Sequence, residues 1–230
     1  MGRRVLPLLC VLALLLAACG DDDSSSDSAA QETAADTTAE TASGGCPDVK
    51  QPAPREDGGE EKPAKDLDPE GRYVLTLDTS CGPIEIRIDQ KSAPKTAASV
   101  VALARSGFYD KTIFHRIVPG FVIQGGDPTA SGMGGPGYSV RDTPPAGTQY
   151  VKGVVAMAKT EQEPPGTSGS QFYIVTGPDA GLPPDYAVLG KVVKGQDVVD
   201  EIGKLGDPAS GGAGTPIKSV VIDKATVSGD

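Results

Sequence analysis

The chain has 230 residues, a formal charge of −10, one histidine and no tryptophan. No cluster of Lys and Arg is available to meet a phosphate backbone, so the charge argues against nucleic-acid binding and is read as solubility. Thirty Gly and twenty Pro against four Phe and six Tyr point to many turns around a modest core, in one domain or two.

The chain opens on a basic "MGRR" and an apolar "VLPLLCVLALLLAAC". That stretch is shorter than the about 20 apolar residues of a comfortable membrane span and has the layout of an export signal. "LAAC" resembles the lipobox of bacterial lipoproteins, in which the signal is cut before the cysteine and the thiol carries lipid. Residues 1–18 are therefore expected to be a signal peptide. Cys19 is the expected lipid anchor, holding an exported protein to the outer face of a bacterial cell membrane; an ordinary secretory signal is the alternative. Residues 19–68 are Ser, Thr, Ala, Pro and acid, too poor in apolar groups to offset their ordering entropy. They are expected to form a disordered acidic tether. Cys46 and Cys81 lie beyond the signal, in a chain bound for a compartment that permits disulfides. Even pairing predicts a bridge between them.

Residues 69–230 read as the folded domain. "RYVLTLD" sets Tyr73, Leu75 and Leu77 on one face, and "IEIRID" sets Ile84, Ile86 and Ile88 on one face; "TSCGP" between them is a turn. The pair is an antiparallel hairpin. "SAPKTAASVVALARSGFYD" follows, with Pro94 suited to a first helical position, apolar residues at helical spacing and Gly107 as the stop. Short apolar runs come next: "TIFHRIV", "FVIQ", "GVVAMA", "QFYIV", "AVLGKVV" and "SVVIDKATV". A second helix fits "GQDVVDEIG". With no β-α-β spacing, the pattern predicts an antiparallel barrel or sandwich covered by two helices.

Several catalytic schemes fail on this sequence. "GTSGS" is not a nucleophile elbow, and strand parity would put His115 on the face opposite Arg116, as a packed structural residue. One histidine and an oxidisable cysteine pair make no metal cluster. "GMGGPG" (132–137) matches a dinucleotide string but lacks the strand and helix that string requires, so it reads as a flexible surface loop. Asp127 reads as a turn residue.

"FHRIVPGFVIQGGD" (114–127) resembles the signature of the cyclophilins, the peptidyl-prolyl isomerases. "GSQFYIV" (169–175) is similar to the family's second signature strand, "VVAMAKT" (154–160) to its pocket edge, and "APKTAASVVALARSGFYD" to its first helix. The resemblance implies a mainly β fold: a closed eight-stranded antiparallel β-barrel capped by two α-helices. It implies a rotamase acting on proline-containing polypeptides, without cofactor or metal, with a monomer expected. Arg116 takes the family's catalytic position. Phe121, Val122, Tyr173 and Leu182 match the proline pocket, Gln124 the group that binds the substrate carbonyl, and Ala158, Lys159 and Gln171 the peptide groove. Tyr186 falls where better-known members have histidine. Val122 stands in place of a common Met, Lys159 of Asn and Gly181 of Trp, so altered ligand preference is expected. The alternative function is a binding or chaperone module on the same fold without significant catalysis.

Overall fold

The computed structural model describes residues 45–229. The expected signal peptide, the first part of the tether and Cys19 lie outside the described residues. Strands β1 (Val74–Thr79) and β2 (Gly82–Ile88) form the expected hairpin, pairing Leu75 with Ile86 and Leu77 with Ile84. These four side chains are fully buried, because a period of two carries every second residue to one face. Thr79 closes the turn: its Oγ1 donates to the Gly82 carbonyl at 2.6 Å and accepts from the Cys81 N–H at 3.1 Å.

Helix α1 (Pro94–Arg105) begins with proline at its first turn and has no side-chain cap of its own. A carboxylate 46 residues away supplies one, since Asp142 Oδ2 accepts from the Thr96 N–H at 2.6 Å. At the other end Gly107 is left-handed, with φ +79°. Phe108 N–H then reaches the Leu103 carbonyl and Gly107 N–H the Ala104 carbonyl, a Schellman close that satisfies the last carbonyls. Helix α2 (Gln196–Gly203) lies where expected and buries Val199 and Ile202.

The remaining strands are β3 (Thr112–Ile113), β4 (Arg116–Val118), β5 (Val122–Gly125), β6 (Val140–Arg141), β7 (Val154–Met157), β8 (Thr167–Ser168), β9 (Phe172–Val175), β10 (Val188–Lys194) and β11 (Val221–Ser228). Of the eleven strands among the described residues, nine form one antiparallel sheet in the order β3-β11-β1-β2-β10-β7-β9-β5-β4, and β6 and β8 pair separately. The two edge strands, β3 and β4, are separated in the chain only by Phe114 and His115. Two residues span at most about 7 Å, so the sheet curls until its edges approach. Ile113 makes an isolated bridge to Asp127 at that seam. With β3 and β4 counted as one strand broken at Phe114–His115, the strands number eight. By its ladders the sheet is curled rather than continuously closed, because the break removes the pairing there.

Three neighbouring strands of this sheet are buried on both faces. Ile123, Ile174, Val155 and Met157 join the main core with Leu75, Ile86 and the apolar face of α1. The alternate residues Val122, Tyr173, Val175, Val154 and Ala156 form a second apolar cluster with Tyr150. This explains the unbroken apolar runs of β7 and β9: both faces must be kept from water.

The segment expected to be the second half of a disordered tether is bonded to the domain from Cys46 onward, although residues 45–68 carry no helix or strand. Cys46 is buried and paired with Cys81, with the Cα atoms 4.4 Å apart. Lys218 Nζ donates to the Cys46 carbonyl. Further on, Arg55, Gly58 and Glu60 N–H groups donate to the carbonyls of Pro128, Gly135 and Pro136 at 2.8, 3.0 and 3.2 Å. The Arg55 guanidinium donates to the Phe108 carbonyl and lies over its ring. Composition weighs apolar burial alone, whereas this segment is held by backbone hydrogen bonds and a covalent link.

Candidate active site

Strand register assembles the site. Arg116 pairs with Gln124 across β4 and β5, Gln124 with Tyr173 across β5 and β9, and Tyr173 with Ala156 across β9 and β7. Residues distant in sequence therefore stand in one row across the outer face of the sheet. Val122 lies two positions from Gln124 on the same face, as the strand period requires. The loop after β7 adds Ala158 and Lys159, and the connection between β9 and β10 adds Leu182 and Tyr186.

These residues enclose a cavity of about 270 Å³ lined by Arg116, Phe121, Val122, Gln124, Ala158, Lys159, Tyr173, Leu182 and Tyr186. All but one of the expected groove residues thus surround a single space. The exception, Gln171, lines an adjoining cavity of about 460 Å³ that shares Gln124, Ala158 and Lys159 with the first. Gln171 still belongs to the polar edge: Gln124 Nε2 donates to its Oε1 at 3.1 Å, and Gln171 Nε2 donates to the Gly134 carbonyl at 2.9 Å.

Arg116 is half-buried. Its Nε and Nη2 donate to the Gly212 carbonyl at 3.2 and 3.0 Å, and its Nη1 points to Gln124 Oε1 at 3.5 Å. The guanidinium carbon lies 5.9 Å from the centre of the Phe121 ring. A guanidinium has five N–H donors, so two are left for a guest in the cavity. Burial pushes this group down from its ordinary value, yet arginine stays cationic in proteins. The result is a fixed charged donor at the rim of an apolar pocket. Gly212 lies in a 3-10 helix, Pro208–Ala213, 96 residues further along the chain. No local pattern at Arg116 announces it.

Two lining residues, Tyr173 and Tyr186, pack with the buried Tyr150 behind them. Tyr150, Tyr173 and Tyr186 have ring centroids 5.7–6.3 Å apart. Tyr150 Oη donates to the Tyr186 carbonyl at 2.7 Å and accepts from the Tyr186 N–H at 2.9 Å, so it fixes the loop that carries Leu182 and Tyr186. Tyr150 belongs to no motif in the sequence; its only local signal is an aromatic residue just before an apolar run. Burial pushes the Tyr173 phenol up, with Tyr150 and Tyr186 adding to it. Lys159 Nζ donates to the carbonyls of Thr160 and Glu163 at 3.1 Å each and lies 5.4 Å from the Tyr186 ring. Gly181, next in the chain to the lining residue Leu182, has no described atom within 4 Å of where a Cβ would stand.

His115 lines neither cavity. Strand parity is not the reason, because His115 sits in the break between β3 and β4. It packs beside Gly132, and both ring nitrogens are buried without a hydrogen-bond partner among the described residues. Burial pushes the imidazole down; Asp127 opposes this and Arg116 adds to it. The imidazole is therefore neutral at physiological pH. Asp127 does more than make a turn. It is fully buried, and its carboxylate accepts from the N–H groups of Thr129, Gly132 and Gly134 at 2.7, 2.5 and 3.2 Å and from the Thr129 hydroxyl at 2.8 Å. Burial alone would raise its pKa, but these hydrogen bonds from Thr129, Gly134 and Gly132 hold it net below the ordinary value. The "GMGGPG" loop is thereby organised around one buried charge.

The cyclophilin type peptidyl-prolyl cis-trans isomerase/CLD family model matches residues 74–227. The chain belongs to the cyclophilin family. It is 40% identical over 173 residues to the peptidyl-prolyl cis-trans isomerase A of Mycobacterium tuberculosis, covering 67% of this chain and 92% of that protein. It is 35% identical over 176 residues to the peptidyl-prolyl cis-trans isomerase-like 2 of Cryptococcus neoformans, covering 74% of this chain but 30% of that longer relative. Among solved structures, a Cryptosporidium parvum cyclophilin crystallised in the presence of the dipeptide Ala-Pro superposes with a TM-score of 0.61 at 29% identity, covering 67% of this chain and 98% of that one. Cyclophilin membership accounts for the curled sheet with two helices.

Proposed function

We propose that this chain is a peptidyl-prolyl cis-trans isomerase that acts, as a monomer, on exported polypeptides while a lipid on Cys19 holds it to the outer face of a bacterial cell membrane. The observation that carries the enzymatic reading is the Arg116 guanidinium, anchored on Gly212 and directed at Gln124 beside the apolar pocket. Rotation about the bond before proline faces a barrier of about 18–20 kcal/mol, because resonance must be broken. No heavy-atom bond is made or cut. In the twisted state the nitrogen lone pair is released from the carbonyl and can accept a hydrogen bond. A fixed guanidinium donor stabilises that state and gains nothing from the planar one, which is the condition for lowering a barrier.

The other groups bind and orient. Phe121, Val122, Tyr173 and Leu182 offer an apolar seat for the pyrrolidine ring, and Gln124, held by Gln171, is aligned to meet a peptide carbonyl. The neighbour structure's Ala-Pro supports a proline-containing guest for this pocket. The basic start, short apolar run and "LAAC" of the sequence support export and anchoring.

The test is exchange spectroscopy by NMR on an Ala-Pro peptide, with the full chain and no coupling protease. Uncatalysed exchange takes tens to hundreds of seconds. Substoichiometric protein should bring it to seconds or faster. Binding without acceleration would replace the enzyme with a binding module. Anchoring is tested separately: Cys19→Ser should move the protein from the membrane fraction to the soluble one, and a wild-type protein already soluble would sink that part.

A further inference from the structure

The 460 Å³ cavity next to the Arg116 pocket has a wall that the family match does not cover. The match begins at residue 74, yet Asp57 is among the residues lining this cavity. The chain there is seated rather than draped. Gly58 and Glu60 N–H groups bond to the carbonyls of Gly135 and Pro136, and Asp57 Oδ1 accepts from the Gly135 N–H at 2.5 Å. Gly58 and Gly137 pass backbone to backbone: a Cβ on Gly137 would lie 3.1 Å from Gly58 Cα. Upstream, the disulfide fixes the segment's start.

The chemistry of this cavity is asymmetric. Asp57 is exposed and forms no ion pair among the described residues. The nearby carboxylate of Glu163 accepts from both the N–H and the hydroxyl of Thr160. Lys159, the one cation of the lining, has its ammonium on two carbonyls and beside Tyr186. Apolar surface is supplied by Met133, which is 82% exposed, and by Pro136 and Ala158. An apolar wall ending at a carboxylate that has no cationic partner among the described residues suits a side chain with a methylene stem and a cationic head. The two cavities share Gln124, Ala158 and Lys159, so a polypeptide with proline in the first can place a neighbouring side chain in the second.

We propose that residues 55–60 form a built-in wall of the substrate groove, and that Asp57 gives the groove a preference for polypeptides with lysine or arginine close to the proline. This rests on the reading of the Arg116 pocket as the proline site. It concerns the substrate class and not the chemistry.

The test measures affinity, so it does not depend on turnover. Labelled peptides carry Ala-Pro and place lysine, glutamine or glutamate in turn at each of the two positions on either side of that pair. Binding to the full chain is followed by fluorescence anisotropy at low salt. At one position the lysine peptide should bind up to about fivefold more tightly than the glutamine peptide, the scale of an exposed ion pair, with the glutamate peptide weakest. The preference should shrink as salt is raised. Asp57→Asn should bring the lysine-to-glutamine ratio close to one, Asp57→Lys should invert it, and Asp57→Glu should retain it. Glu163→Gln should leave it in place. A preference equal at all positions would report only the overall charge of −10 and would overturn the proposal, as would a ratio that Asp57→Asn does not change. If the peptides bind with the predicted selectivity but are not isomerised, the enzymatic reading fails and the wall stands.

Discussion

The two adjoining cavities are built by different means. The Arg116 pocket is anchored on strand register: one row across β4, β5 and β9 fixes Arg116, Gln124 and Tyr173, with Val122 on the same face, and the connections add Phe121, Ala158, Lys159, Leu182 and Tyr186. The alternate residues of those strands lie in the main core. Moving Arg116, Val122, Gln124 or Tyr173 means moving a ladder. The larger cavity is a product of loops: residues 132–139, held by the buried Asp127 carboxylate, and residues 55–60, held by backbone bonds and a disulfide. Its shape depends on a few local interactions that can be removed singly.

The largest separation of the two should come from Asp127→Ala. It strips partners from the N–H groups of Thr129, Gly132 and Gly134, and bonds to a charged acceptor contribute about 1.5–3 kcal/mol each. A loss of at least about 3 kcal/mol is expected in a denaturant titration. NMR shift changes should concentrate in residues 128–139 and leave β9 nearly unmoved. The pH behaviour has a definite sign. A carboxyl held below its ordinary value adds stability that is complete above about pH 4 and is lost as pH falls through the folded value. The loop should therefore loosen only in acid.

A smaller effect is expected from Cys46→Ser. A bridge closing 35 residues contributes about 4 kcal/mol in the chain-entropy model. Much of that acts on the attached segment, which keeps its other bonds to the domain, so about 1–3 kcal/mol should be realised. Proteolysis within residues 45–65 should quicken while the sheet stays protected. Equal loss of protection in the sheet would show that the segment is part of the core.

His115→Gln should have the smallest effect on turnover, within about twofold per folded molecule, because proton transfer, worth about 100-fold or more where it is used, has no place in this reaction. An imidazole held below its ordinary value of about 6.5 leaves stability complete above that pH and lost as pH falls below it. Melting temperature should therefore drop on the acid side in the wild type and less so in the variant. The rate constant should be flat from pH 6.5 to 8.5.

Much of this was legible in the sequence where periodicity is strict. The alternation of Leu75, Leu77, Ile84 and Ile86 and the helical spacing between Pro94 and Gly107 carry their own geometry. The groove residues were legible only through motif resemblance, since Val122 and Tyr173 look like any residues of a buried strand. Long-range partners left no local trace. Gly212 holds Arg116, Asp142 caps α1 and Tyr150 fixes the Tyr186 loop, each across 36 residues or more. Residues 45–68 were misjudged for a related reason: hydrogen bonds to another loop are invisible to composition. The seam at Phe114–His115 also escaped, and with it the true reason that His115 and Arg116 face different surroundings.

The most direct test of the central claim is the isomerisation rate constant kcat/KM of Arg116→Ala and Arg116→Lys in the full chain, beside the wild type and without a coupling protease. One charged hydrogen bond made only in the twisted state contributes about 1.5–3 kcal/mol, and each 1.36 kcal/mol is tenfold in rate. Arg116→Ala should therefore fall about 10- to 100-fold with the β-sheet signature and the apolar pocket retained. Arg116→Lys should recover little of this, because an ammonium keeps the charge but not the planar fork. A folded Arg116→Ala protein within about twofold of the wild-type rate would contradict the account.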